Sequence, residues 1–262
     1  MSHQIIQPHQ ALQPFIKEFW FLDSAKGGGS IPLSFSPSPE QCLYFYPKNL
    51  PKPILPDGSI LNAPNNIITG QSVSSGKMIV PDNYCMFKIQ FRAGGFFRLF
   101  GIPMTQFADG FEESISVLGN PMKALQEQVQ NAQDFNEMVR FSEGYLLKRL
   151  AQKSLDKLPI DWVLNQQNLH HYSIDKLASD ACLSTRQFER KCLERLGVSP
   201  KIYQRIIRFN QAMKLKKQYQ NQSWIKITYD TGYFDQMHLL RDFKQFTGAT
   251  PSIFDFDKAV IY

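Results

Sequence analysis

Cysteine is scarce in this sequence of 262 residues: four are present, Cys42, Cys85, Cys182 and Cys192, and no two form a Cys-x-x-Cys pair or cluster with histidine. That spacing excludes a thiolate zinc site and a disulfide framework, and predicts four buried thiols in a reducing compartment. Histidine is as sparse, limited to His3, His9, His170, His171 and His238. His170 and His171 are neighbours, so an extended segment would point them to opposite sides, and no carboxylate spacing completes a metal or catalytic set around them. No run approaches 18 apolar residues, which excludes a membrane-spanning helix. Residues 1–10 lack the basic-then-apolar order of an export signal. Lys26-Gly27-Gly28-Gly29-Ser30 is rich in glycine but lacks phosphate-loop spacing, and reads as a flexible loop. The absences predict a cytoplasmic protein with no cofactor, no metal and no catalytic residues.

Acidic residues are scarce in one region only. Residues 1–155 carry 13 Lys+Arg against 12 Asp+Glu, whereas residues 156–262 carry 16 against 11. From Arg186 to Lys226 there are 11 basic residues against Glu189 and Glu194 alone. Such a density suits a phosphate backbone. With 43% hydrophobic and 13% aromatic residues, the chain can bury a core in each of two domains.

The basic region overlaps an internal repeat. Leu177-Ala178, Cys182-Leu183-Ser184, Phe188, Arg190, Gly197 and Pro200 recur as Ile227-Thr228, Gly232-Tyr233-Phe234-Asp235, Leu239, Arg241, Gly248 and Pro251. The offset is 50 residues before Ser184 and 51 from it onward, so the second turn holds one extra residue. Each copy has the grammar of a helix-turn-helix: a short helix, a turn, and a second helix opened by a side-chain cap, Ser184 or Asp235. Ser184-Thr185-Arg186-Gln187 also fits a capping box. Phe188 and Cys192 share an inward face, while Arg186, Glu189 and Arg190 share another, polar one.

These residues resemble the DNA-binding domain of the AraC/XylS family of transcription regulators over most of 173–254. The most specific stretch is Gly232-Tyr233-Phe234-Asp235-Gln236, His238, Arg241-Asp242-Phe243-Lys244 and Thr247-Gly248-Ala249-Thr250-Pro251. Two positions depart from the family pattern: Cys192 stands where an aromatic matching Phe243 is usual, and Thr228 replaces a common alanine. The resemblance implies a sequence-specific, DNA-binding regulator rather than an enzyme, with two recognition helices in two successive major grooves of double-stranded DNA. It implies contacts from Thr185, Arg186, Gln187, Glu189 and Arg190 in the first copy, and from Lys226, Gln236, Met237, His238 and Arg241 in the second. By chemistry, arginine suits guanine, Glu189 suits cytosine N4, Gln236 suits adenine and Met237 suits a thymine methyl. The competing reading of Glu189 is pairing with Arg186 or Arg190 along its own helix; that of Lys214, Lys216 and Lys217 is plain surface charge. Pro200 to Gln218 reads as one connecting helix, about 28 Å long at ~1.5 Å per residue, close to the roughly 34 Å between successive major grooves on one DNA face.

The first half reads as β-rich. Residues 8–22 have apolar residues at 3–4 spacing, predicting a short helix leading into a strand. Residues 42–46 and 66–69 read as short strands. Residues 84–92 alternate strictly, Cys85, Phe87, Ile89 and Phe91 against Met86, Lys88, Gln90 and Arg92, predicting one core face and one facing solvent or a cavity. A helical turn follows at 96–100, and two helices at 120–130, capped by Asn120, and from Asp134 on. The expected fold is α+β: a β-rich, cupin-like domain with two trailing helices at 1–150, a linker at 151–158, and an all-α domain with two helix-turn-helix motifs at 159–262. In that domain 159–167 is the first helix, with Trp162 and Val163 inward. The layout of 1–150 is similar to the family's effector domains, implying a small-molecule effector or self-association as a homodimer, with RNA polymerase as partner if the outcome is activation. Two rivals are an alkyl-transfer DNA-repair enzyme, which requires clustered cysteines, and a metabolite-modifying enzyme with a fused DNA-binding domain.

Overall fold

The computed structural model describes residues 2–24, 29–108, 110–152, 158–256 and 259–260. The chain opens on an edge strand, β1 (Ser2–Ile6), then a single 3-10 turn (Gln10–Leu12) and β2 (Ile16–Asp23). The strand expected at the end of 8–22 is therefore present, and the short helix expected ahead of it is reduced to one 3-10 turn. Its 3–4 spacing has another cause: Leu12 and Phe15 belong to the turn, and the β2–β8 register shifts between Ile16 and Glu18, so Ile16 and Phe19 are buried three residues apart in a bulged strand. Strands β3 (Ile31–Phe35), β4 (Gln41–Phe45), β5 (Lys52–Ile54), β6 (Asn66–Thr69), β7 (Gly76–Val80) and β8 (Cys85–Phe91) follow. After β8 come α1 (Gly95–Phe100), β9 (Phe111–Glu113), α2 (Ser114–Leu118), α3 (Asn120–Gln130) and α4 (Phe135–Ala151). Gly119, not Asn120, holds the position before α3, with φ at 74° and no side-chain cap, so Asn120 lies inside the helix. Asp134 caps α4 as expected.

Six strands form an antiparallel sheet in the order β1-β2-β8-β4-β6-β9. Phe87, Ile89 and Phe91 on one face of β8 join Phe19, Leu43 and Phe45, and pack with Phe96, Leu99, Leu125 and Phe135 of α1, α3 and α4. Val80 and Leu33 of the second sheet join Tyr46, Ile67 and Tyr84 on the other side. The second face of β8 is not open as expected. Lys88 and Gln90 are 6% and 3% exposed, and both bond to Glu40, at 3.0 Å and 2.8 Å. A period of two tells which residues share a face, not what covers it.

Helix α4 ends at Ala151; of the expected linker, 153–157 lie outside the described residues, as do 26–28 of the glycine loop. Helices α5 (Pro159–Val163), α6 (Ile174–Asp180), α7 (Thr185–Leu196), α8 (Pro200–Gln218), α9 (Trp224–Asp230) and α10 (Gln236–Thr247) complete the chain. Helix α5 stops four residues before the predicted 167. It buries Ile160, Asp161 and Val163 and leaves Trp162 67% exposed, reversing the expected placement of that residue. A short strand, β10 (Ala259–Val260), pairs in parallel with β3. The last segment is thus not all-α: it extends the second sheet to the order β10-β3-β7-β5.

Candidate nucleic-acid interface

The repeat read from the sequence is a repeat of structure. Helices α6 and α9 are 7 residues each, and α7 and α10 are 12 residues each. Ser173 and Ser223 each accept from the backbone N–H three residues on. In both turns a backbone N–H reaches back five residues, Leu183 to Ala178 and Tyr233 to Thr228, each at 3.0 Å. One left-handed residue makes each turn: Cys182, φ 54°, in the first copy and Gly232, φ 73°, in the second. Cys182 is consequently exposed, against the expectation of a buried thiol. Cys42, Cys85 and Cys192 are buried, and burial pushes the Cys192 thiol up to about 12.

Helix α7 opens on the predicted capping box, Ser184 with Gln187. Helix α10 opens on Asp235, which accepts from the His238 N–H at 2.6 Å. Both helices close on a left-handed glycine, Gly197 and Gly248. Phe188 and Cys192 turn inward as expected, and Phe243 does the same in the second copy. Thr228 spends its hydroxyl on the Trp224 carbonyl.

Arg186, Glu189, Arg190, Gln236, Met237, Arg241 and Lys226 are all exposed. The side chains of Arg186, Glu189 and Arg190 make no ion pair or hydrogen bond with another described residue, so the helix-internal pairing of Glu189 does not form among them. Other expected contacts are partly engaged within the fold. Thr185 donates to Asp175 at 2.8 Å, tying α7 to α6, and Gln187 closes the capping box. His238 sits edge-on to Tyr233, with ring centres 5.2 Å apart.

The basic density of 186–226 also divides. Arg195 is 3% exposed and bonds to Asp161 at 2.8 Å. Arg205 bonds to Asp242 at 2.6 Å, and Tyr233 donates to the same carboxylate, fastening α10 to α8. Arg208 lies over the Tyr233 ring. Lys216, expected as plain surface charge, donates to the Gln220 and Gln222 carbonyls and covers Trp224. At the other copy, Gln204 of α8 donates to the Leu169 and Tyr172 carbonyls. One helix therefore braces both units.

His170 and His171 do not diverge. The 3-10 turn Leu169–His171 brings them together, ring centres 4.2 Å apart and the planes tilted by 42°. His170 is 5% exposed, and burial, with His171 and Arg208 adding to it, pushes its pKa down to about 4.

Sequence reasoning missed the seam between the β-rich part and the helices. Asp161 lies between Arg195 and Arg98, 2.8 Å and 3.4 Å away. Gln41 donates to the Arg195 carbonyl at 2.7 Å, Asn165 to that of Ala93 at 3.0 Å, and Asn210 to that of Pro37 at 2.8 Å. The partners are from 34 to 173 residues apart in sequence, and no local pattern couples them.

Two tandem helix-turn-helix units, each presenting an exposed arginine-bearing helix, define a double helix-turn-helix DNA-binding domain. Residues 177–255 match the family described as helix-turn-helix domain, and this segment is an AraC-type domain of a DNA-binding transcription regulator. Residues 4–113 match a domain of unknown function, DUF6597. No curated protein matches the chain. Among solved structures it is similar to ToxT from Vibrio cholerae O395 bound to (E)-4-(8-methylnaphthalen-1-yl)but-3-enoic acid, at 12% identity over 96% of this chain and 97% of that one, TM-score 0.44. It is also similar to unsaturated fatty acid bound ToxT from Vibrio cholerae strain SCE256, at 15% identity over 88% and 93%, TM-score 0.42. Among the described residues no helix is long and apolar enough to cross a membrane.

Proposed function

We propose that this regulator lays α7 and α10 into two successive major grooves on one face of duplex DNA, with α8 setting their separation. Arg190 and Arg241 reach base edges or phosphates; Arg186, Glu189, Gln236 and Met237 face the groove; Lys226 meets a phosphate; Thr185, Gln187 and His238 contribute from the cap end of each helix. One observation carries the reading: two reading helices of equal length, each opened by a side-chain cap and closed by a left-handed glycine, hold their charged side chains outward; among the described residues Arg186, Glu189 and Arg190 have no side-chain partner, and Arg241 donates only from Nε, to the Met237 carbonyl of its own helix at 3.3 Å. An exposed arginine fork suits bidentate contact with guanine or phosphate.

The division of labour places DNA reading in 159–262 and effector sensing or self-association in 1–150, in a cytoplasmic protein that acts by binding rather than catalysis. The seam supports this division, because α7 ends on it at Arg195. A ligand or second copy that binds better to one state of the seam shifts how often the reading helices are correctly presented. If the outcome is activation, RNA polymerase is the further partner. Hydroxyl-radical footprinting of the full chain on DNA upstream of its own gene tests the reading. Two protected segments one helical turn apart on one face are expected; one segment, or uniform weak protection, overturns it.

A further inference from the structure

Position n of α7 corresponds to position n+51 of α10, because length, opening cap and closing glycine coincide. The outward side chains at matched positions differ in kind. Arg186, Glu189 and Arg190 stand opposite Met237, Leu240 and Arg241. Met237 is 61% exposed. Phe234, the residue by which the second turn exceeds the first, lies just ahead of the cap and is 86% exposed. Among the described residues neither packs against an apolar cluster. Apolar side chains held out in water at the end of a reading helix lose nothing, and gain, if they meet an apolar partner.

The rim of this patch selects the partner. Arg241 and Lys244, four and seven residues after Met237 on the same helix, are exposed beside it, while the neighbouring acids are engaged. Asp235 caps α10, Asp242 holds Arg205, and Asp230 accepts from Gln222. An apolar centre with a cationic rim fits a major groove that presents thymine methyls between phosphates, since that methyl is the one apolar group on the base edges. On α7 the same positions carry only hydrogen-bonding charge, matched to guanine O6 and N7 and to cytosine N4.

Resting on the groove-reading function proposed above, we infer that the operator is chemically two-part: a G·C-bearing segment under α7 and a thymine-bearing segment under α10. Phe234 and Met237 supply the methyl contacts, and Arg186, Glu189 and Arg190 the hydrogen bonds. The orientation of the protein on DNA is then fixed by composition, and an inverted site is a poor one.

The test starts from a pool of random duplexes selected with the full chain. Two enriched boxes, one G·C-rich and one T-rich, about one helical turn apart are expected. Thymine is next replaced by deoxyuridine in each box separately, which leaves the protein untouched. Binding should fall about fourfold per contacted methyl in the T-rich box, the worth of one buried methyl group, and should not change in the other. Phe234→Ala with Met237→Ala should abolish that sensitivity, while Arg190→Ala should relax base preference in the G·C-rich box alone. Two boxes of like composition, equal sensitivity to deoxyuridine in both, or sensitivity that survives the double substitution would overturn the inference while leaving groove reading intact. Failure to enrich any sequence would instead overturn groove reading itself, and this inference with it.

Discussion

Asp161→Asn tests the seam most sharply. Asp161 is 7% exposed, and its carboxylate is the counter-charge for Arg195, whose side chain is 4% exposed, and for Arg98, at 12%. The neutral amide leaves two guanidinium groups facing each other out of water. Glu194, 3.9 Å from Arg195 and partly solvated, compensates little. Removing one member of a buried ion pair costs about 3–5 kcal/mol. For a unit of this size, that lowers the melting temperature by about 10 °C. Thermal unfolding of the full chain followed by circular dichroism reads the shift directly. Replacing the cluster together, Arg98→Met, Asp161→Leu and Arg195→Met, should restore stability to within about 1 kcal/mol, because an apolar cluster avoids the desolvation that the charges carry. An Asp161→Asn protein that melts within about 2 °C of the parent would refute the account of the seam.

Two further outcomes are expected. Gly197 and Gly248 have the same left-handed φ, 81° and 71°, but an added Cβ at Gly197 would stand 2.6 Å from the Met104 carbonyl oxygen, whereas nothing lies near it at Gly248. Gly248→Ala should cost about 1 kcal/mol of backbone strain and Gly197→Ala clearly more, compared by denaturant unfolding. Acid should also destabilise the fold through His170. Its folded pKa, about 4, lies below the unfolded 6.5, so its contribution is complete above pH 6.5 and is lost as pH falls toward 4, by on the order of 3 kcal/mol. His170→Phe should flatten that part of the stability profile, and an unchanged profile would contradict it.

The helix-turn-helix units were legible because their determinants are local. Ser184, Asp235 and the two closing glycines fix helix ends from within a few residues, and Phe188, Leu239 and Phe243 recur at helical spacing. Strands β4, β6 and β8 were legible for the same reason. Long-range features were not. Strand β1 is an edge strand with Gln4 and Ile5 exposed and no alternation to announce it, and β10 owes its existence to β3, more than 200 residues earlier. Trp162 looked buried because a large aromatic usually is, yet in the short α5 the buried positions are taken by Ile160, Asp161 and Val163. Cys182 looked buried by residue type, and turn geometry overrode it. The basic density was correctly counted, but counting does not distinguish Arg195, folded inward onto Asp161, from Arg190, held out toward solvent.

Whether both copies read DNA, as proposed, is decided by Arg190→Ala and Arg241→Ala. Binding of each purified full-length variant to DNA upstream of its own gene is measured across a salt series beside the parent. Each variant is expected to lose about 1–3 kcal/mol with altered site preference, while the parent binds specifically and weakens steeply as salt rises. Parent binding that ignores sequence, and that neither substitution changes, would contradict it.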